Sequence, residues 1–299
     1  MRPIVDAPRL AAALGPEVPS GEFLVAVHSV FRAALNLVRP SGDLLSLLSN
    51  EACDGPQSIR LASVEDFSSL SLVVGAAGAF RAAEITLDRS GGLPPFRVGC
   101  AAARRLAAET PPPIGGAEER WSAGVALLDG LQQRAGTDLR IGCLLADAAA
   151  PGPMGERLAR TALALGRSVR AGGAAAVRHA ASRLVGLGTG LTPAGDDFLC
   201  GFHAAALCRT GARLGDSRLL AALAGAVRER LGATTALSAT LLRSALAGHF
   251  FGPLTALAQA CAGKPGCGAP AAVLQLASVG HSSGMDAATG FFYGLTIWR

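Results

Sequence analysis

Residues Gly186 to Phe202 read GLGTGLTPAGDDFLCGF: five glycines, two threonines and one proline, with two adjacent carboxylates just before an apolar run. Glycines at alternate positions let the backbone approach a ligand closely and leave N–H groups free to point at it. A Gly-rich turn that feeds a helix start suits a phosphate or a carboxylate. Thr192-Pro193 marks that start, with threonine as N-cap and proline at the first helical position. Asp196 and Asp197 then fall in the first turn. Two carboxylates next to a bound anion repel it unless a cation lies between, Mg²⁺ being the cofactor of choice, or unless they address a donor-bearing part of the ligand such as an amide or carbamoyl NH2. The stretch is no P-loop, since Gly-Lys-[Ser/Thr] is absent. It is no dinucleotide fingerprint either, because the preceding segment reads as helix.

A partial second copy lies at Gly280–Leu295, GHSSGMDAATGFFYGL. Gly195-Asp-Asp-Phe-Leu-Cys-Gly-Phe202 aligns with Gly284-Met-Asp-Ala-Ala-Thr-Gly-Phe291, each behind a hydroxyl residue expected to cap a helix. Asp197, Gly201 and Ala205 share one helix face, as do Asp286, Gly290 and Gly294. Small faces of this kind let two helices meet and bring Asp197 and Asp286 to one mouth. Catalytic candidates are therefore Asp196, Asp197, Asp286 and His281, the last being the histidine inside the second loop. Substrate-binding candidates are Gly188, Thr189, Gly190, Thr192, Gly195, Ser282, Ser283 and Gly284. Thr234-Thr-Ala-Leu-Ser238 adds Ser238, with Thr235 as a helix cap, and Val27-His-Ser-Val30 adds His28 as a pocket residue from the N-terminal region. His203 sits on the helix of Asp196, placed either at the site or in the core. No His-x-x-x-His or C-x-x-C spacing supports zinc.

These residues need a scaffold. With 299 residues the chain is long enough for about two domains. The first third offers short apolar runs at Phe23–Val27, Val30–Val38, Leu44–Ser49, Ile59–Leu61, Leu72–Val74 and Phe80–Leu87, which read as an antiparallel β-rich domain, a small barrel or sandwich, over residues 1–110. Thr110-Pro-Pro-Pro is the linker. Residues 117–299 read as mainly helical: Glu118–Arg134, Glu156–Leu184, 194–209, 217–231, 235–248, 253–261, 270–278 and 284–295. Leu139–Leu145 reads as an isolated strand or buried loop. The expected class is α+β.

The net charge of +5 comes almost wholly from scattered arginines, with no basic stripe and one tyrosine, so nucleic acid is not an expected partner. No window reaches the ~18 apolar residues of a membrane span, and no signal peptide is read at the start. The expected location is cytoplasmic. Seven dispersed cysteines fit reduced, buried thiols.

The run Gly188–Gly201 resembles the hallmark of a bacterial family that includes a subunit of oxamate carbamoyltransferase. The helix Thr235…Ser238…Leu242…Ala245…Gly248 and the segment Gly280–Asp286 are similar to two further recurrent segments of that family, as are Val27–Phe31 and Leu35-Asn-Leu37. The resemblance thus covers nearly the whole chain; it departs at His281, Ser282 and Met285. It implies a carbamoyltransferase subunit of allantoin (purine) degradation, interconverting oxalurate plus phosphate with oxamate plus carbamoyl phosphate. The implied ligands are carbamoyl phosphate, oxamate or a similar small acid. The implied partners are two other subunits, one similar to the α subunit of succinyl-CoA synthetase. A non-catalytic acid-binding or assembly subunit and a Mg²⁺-dependent phosphate enzyme are the alternatives.

Overall fold

The computed structural model describes residues 9–115, 118–211, 218–266 and 268–298. The chain forms two compact units that divide between Ala108 and Glu109.

The first unit is a mixed β-barrel. Its strands are β1 (Arg9–Leu14), β2 (Phe23–Val30), β3 (Ala34–Val38), β4 (Leu44–Leu48), β5 (Ser58–Leu61), β6 (Ala77–Arg81), β7 (Glu84–Leu87), β8 (Phe96–Gly99) and the two-residue β9 (Arg104–Arg105). Eight of them run in the order β5-β4-β3-β2-β6-β7-β8-β1, and β1 pairs back to β5 to close the ring; β9 adds to β1. Closure leaves the ring without a free edge. Most pairings are antiparallel, as expected, but β4–β5, β1–β8 and β1–β9 are parallel. Alternate residues such as Val25, Val27, Leu35, Leu37, Leu45, Leu47, Ile59, Leu61, Ile85 and Leu87 fill the interior, as the period-2 geometry of a strand dictates.

Two expectations fail here for local reasons. Leu72–Val74 is no strand: Leu72 is buried while Val73 and Val74 are exposed. The run Phe80–Leu87 is a hairpin, because Ala82 and Ala83 both take positive φ and form a two-residue turn. Nothing in an Ala-Ala pair announces a turn that usually carries Asn-Gly.

The second unit is helical: α1 (Glu119–Ala135), α2 (Ile141–Leu145), α3 (Gly152–Arg170), α4 (Ala174–Leu184), α5 (Ala194–Thr210), α6 (Arg218–Arg230), α7 (Ala236–Leu246), α8 (Gly252–Cys261), α9 (Ala269–Ala277) and α10 (Ser283–Ile297). The expected helix 156–184 is two, broken at Ala171-Gly172-Gly173, where Gly172 has φ 69°. The segment Leu139–Leu145 turns out to be the short helix α2. Its first N–H groups, on Ile141 and Gly142, donate to Gln132 and Asp129 of α1, so side chains of another helix hold it in place.

α5 and α10 form the centre of this unit and are buried on nearly all sides. They run parallel. Gly201 lies against Ala287 and Phe291, Gly290 against Phe198, and Gly294 against Phe202 and Ala205. A Cβ on Gly201 would collide with the carbonyl oxygen of Ala287, and one on Gly290 with that of Phe198. The small faces anticipated at 197–205 and 286–294 are thus pressed together with backbone touching backbone.

Because backbone cannot yield as a side-chain tip can, Gly201→Ala is expected to cost about 3 kcal/mol by overpacking. Gly130→Ala on α1, where a Cβ meets only the end of Arg134, should instead gain about 0.5–1 kcal/mol from helix propensity. Urea unfolding of both variants checks this; similar shifts in the two would contradict the close approach of α5 and α10.

Candidate functional site

The parallel contact places the starts of α5 and α10 side by side. Thr192 Oγ1 and Ser283 Oγ are 2.5 Å apart, joining the two copies of the motif across their mouths. α7 begins at the same end. Its Ser238 reaches Asp196 near the start of α5, while Gly248 beyond its C-terminus lies by Leu207 near the end of α5. Three helix N-termini, each carrying the positive end of its macrodipole, therefore converge.

The loop ahead of α5 is built by glycine. Gly186, Gly188 and Gly190 have φ of 73°, 128° and 90°. A Cβ on Gly188 would press on the amide of Ala194, whereas Gly190 faces open space. Thr235 holds the loop from outside: its hydroxyl accepts from the Ser238 amide as the cap of α7 and donates to Leu191 O at 2.5 Å. Gly195 and Gly284, expected to contact a ligand, are also close-packing positions. The space for a Cβ is filled by Leu184 O in one case and Leu276 O in the other, so both serve helix packing.

Thr192 is not the N-cap. Pro193 occupies that position, and no side chain caps α5; likewise no side chain caps the amides of α10, whose N-cap is Ser282. The hydroxyls expected to cap both helices face each other and the aspartates. Thr192 and Ser283 hydrogen-bond Asp197, and Ser282 bonds Asp286, in each case favouring the ionised form.

The adjacent aspartates differ in kind. Asp196 is saturated: Oδ1 accepts from the Gly186 amide at 2.8 Å, and Oδ2 accepts from Thr234 Oγ1 at 2.5 Å and Ser238 Oγ at 2.8 Å. It ties the glycine loop and the approach to α7 to α5, and is a positioning residue. Burial still raises its pKa, with those three bonds opposing the shift. Asp197 and Asp286 are 5% and 1% exposed, yet Oδ2 of Asp197 and Oδ1 of Asp286 have no hydrogen-bond partner. Burial, and then the charge of Asp286, push Asp197 well above the carboxylate range. Burial, reinforced by Asp138, pushes Asp286 up to about 8. Burial thus favours the protonated form of both carboxyls, which lowers the negative charge at this mouth.

The histidines separate. His281 is exposed in the turn ahead of α10. His203 is buried against Phe250 with both ring nitrogens unpartnered, and burial lowers its pKa to about 4. His28 belongs to the barrel, at the bulge where β2 slips against β3, with Nδ1 3.2 Å from Ser29 Oγ. Thr189 is exposed on the loop. Thr234 and Asp138 were not singled out as site residues. The Thr-Thr pair ahead of α7 signals Thr234; nothing local signals Asp138, which acts on Asp286 across the fold. Among the described residues no group of three or more His, Cys, Asp or Glu side chains is arranged to hold a metal ion, and no helix is long and apolar enough to cross a membrane.

The two environments predict opposite stability effects. Asp196→Ala strips three hydrogen bonds and strands the Gly186 amide, costing about 2–3 kcal/mol. Asp286 holds its proton when folded up to about pH 8 and releases it near 3.8 when unfolded. Its contribution is complete below that lower value and is lost as pH rises through 8. His203 works the other way, destabilising only as pH falls from 6.5 toward 4. Between pH 6.5 and 8 the melting temperature should therefore fall, and Asp286→Asn should flatten that slope. Thermal unfolding across this range checks it; an unchanged slope would place the ionised carboxylate in the folded protein.

Residues 184–295 match the family described as oxamate carbamoyltransferase subunit AllH, from just ahead of the glycine loop to within α10. Residues 5–103 match the AllH family N-terminal domain, which takes in the barrel. No curated protein and no solved structure matches the chain. The two family matches together cover more than two thirds of the sequence, in the order barrel then helical unit, and the chain belongs to the AllH family of oxamate carbamoyltransferase subunits.

Proposed function

We propose that this chain binds the small anionic substrate of a carbamoyltransferase that interconverts oxalurate plus phosphate with oxamate plus carbamoyl phosphate. The binding place is the end of the helical unit where α5, α7 and α10 begin. The observation that carries the reading is the convergence of three positive helix ends on the Thr192–Ser283 hydroxyl pair, with the unpartnered carboxyl oxygens of Asp197 and Asp286 beneath. Helix-start N–H groups and hydroxyls suit phosphate or carboxylate oxygens. Carboxyl groups that switch between donor and acceptor suit the amide and carbamoyl parts of the same molecules. N–H groups fixed before the substrate arrives also stabilise the oxyanion that develops on the carbamoyl oxygen during transfer.

The other subunits, one of them similar to the α subunit of succinyl-CoA synthetase, complete the enzyme. His281, in the turn that leads into α10, and His28 of the barrel stay candidates for substrate contact. Membership in a multi-subunit enzyme family favours one second reading, in which this chain holds the acid while the chemistry belongs to its partners.

The test is a phosphate-dependent carbamoyl assay on the co-purified assembly. Replacing Thr192 with Val and Ser283 with Ala together should raise KM for the acid substrate about 10- to 100-fold, the loss of one or two hydrogen bonds to a charged group. An unchanged KM places the substrate elsewhere. Oxamate binding by the isolated chain, together with full turnover by an assembly carrying Asp197→Asn, selects the second reading.

A further inference from the structure

Asp197 and Asp286 stand in the first turns of α5 and α10, whose glycine seam brings the two helices into backbone contact and whose starts are bridged by Thr192 and Ser283. Each keeps one buried oxygen with no partner. The charged groups acting on Asp197 are Asp286 and Asp196, and the one acting on Asp286 is Asp138, from the turn before α2. No cation is among these. The nearby Cys200 thiol is held neutral by burial and by the two aspartates of α5, so it supplies no compensating charge. Two buried carboxylates in such a setting do not both ionise, and their titration belongs to the pair rather than to either residue. Burial raises both, Asp286 to about 8. A proton between them also gives the orphaned oxygens what the surrounding fold does not.

We propose that Asp197 and Asp286 form one acid–base pair holding a single proton, its protonated member serving the leaving nitrogen and its ionised member the attacking anion. The inference rests on the carbamoyl-transfer reading above. In the direction that makes carbamoyl phosphate, an oxygen of hydrogen phosphate bonds to the carbamoyl carbon and the bond from that carbon to the amide nitrogen breaks. The electron pair goes to nitrogen, which takes the proton of the carboxyl and leaves as a neutral amide. The phosphate hydroxyl proton passes to the carboxylate partner. The pair ends with one proton, now on its other member, ready for the reverse reaction. The net charge of the site is unchanged throughout. Asp196, one residue away, takes no part because its oxygens are already committed.

Two measurements test this. Infrared difference spectra of the isolated chain, titrated from pH 5 to 9, should show a protonated carboxyl at pH 7 that is absent from the double variant Asp197→Asn with Asp286→Asn. Full ionisation at pH 7 overturns the shared proton. In the assembled enzyme either single variant should lower kcat by about 10²–10⁴-fold, the usual contribution of a positioned acid or base, with oxamate affinity changed only a few-fold. Most of the loss should return with a carbamoyl donor whose leaving group departs without a proton. Equal losses with both donors, or rates like the wild type, overturn the proton-transfer role while carbamoyl transfer stands. A wild-type assembly that transfers no carbamoyl group removes the function itself, and the infrared titration then decides on the shared proton alone.

Discussion

Everything at the candidate site follows from one steric condition: α5 and α10 lie parallel with their backbones in contact. Side chains normally keep helix axes 8–10 Å apart. Here Gly201, Gly290 and Gly294 remove them along one seam, and the facing carbonyls occupy the vacated space. Parallel neighbours also align their dipoles, which is unfavourable unless something negative gathers at the shared positive end. Asp196, in the first turn of α5, places a carboxylate at that end from within the protein, and the proposed anionic substrate would add to it.

The same seam explains why identical side chains behave differently at neighbouring positions. Asp196 points toward the loop and the start of α7, where an amide and two hydroxyls meet it. Asp197, about 100° further round the helix, points into the seam, where its counterpart Asp286 arrives from the second copy of the motif. One carboxylate is fixed by its hydrogen bonds and organises the loop. The other two are pushed toward the protonated form by burial, Asp197 also by Asp286, and each keeps an oxygen without a partner.

Much of this was legible in the residues. The repeat Gly-x-Asp-x-x-x-Gly-Phe placed both aspartates and both glycines on matching helix faces, and 3.6-residue periodicity does the rest. Many strand and helix spans followed from apolar spacing, but not at Ala171-Gly172-Gly173, where one expected helix is two, nor at Ala82-Ala83, where tertiary pairing imposes a turn on residues with no turn preference. α2 was illegible for a related reason: its five residues are held by Gln132 and Asp129, which lie on another helix. The three parallel pairings of this sheet were hidden too, since alternation tells which face a residue takes and not the direction of its neighbour. The hydroxyls of Thr192 and of the serines ahead of Gly284 were read as caps because capping is a local pattern. Their actual partners come from across the fold or lie a turn along the helix.

That substitution of partners bears on chemistry. A hydroxyl that caps its own helix quenches an amide that would otherwise meet the ligand. By turning Thr192 toward Ser283 and Asp197, the fold leaves α5 without a side-chain cap, and the same holds for α10. Two uncapped, parallel helix starts leave N–H groups and aligned dipoles of the kind an anion compensates. The carboxyl pair lies at that point, where two ionised carboxylates would oppose an anion. Burial of Asp197 and Asp286, by favouring the protonated form, is what would make two acids compatible with the acidic substrate proposed for this chain.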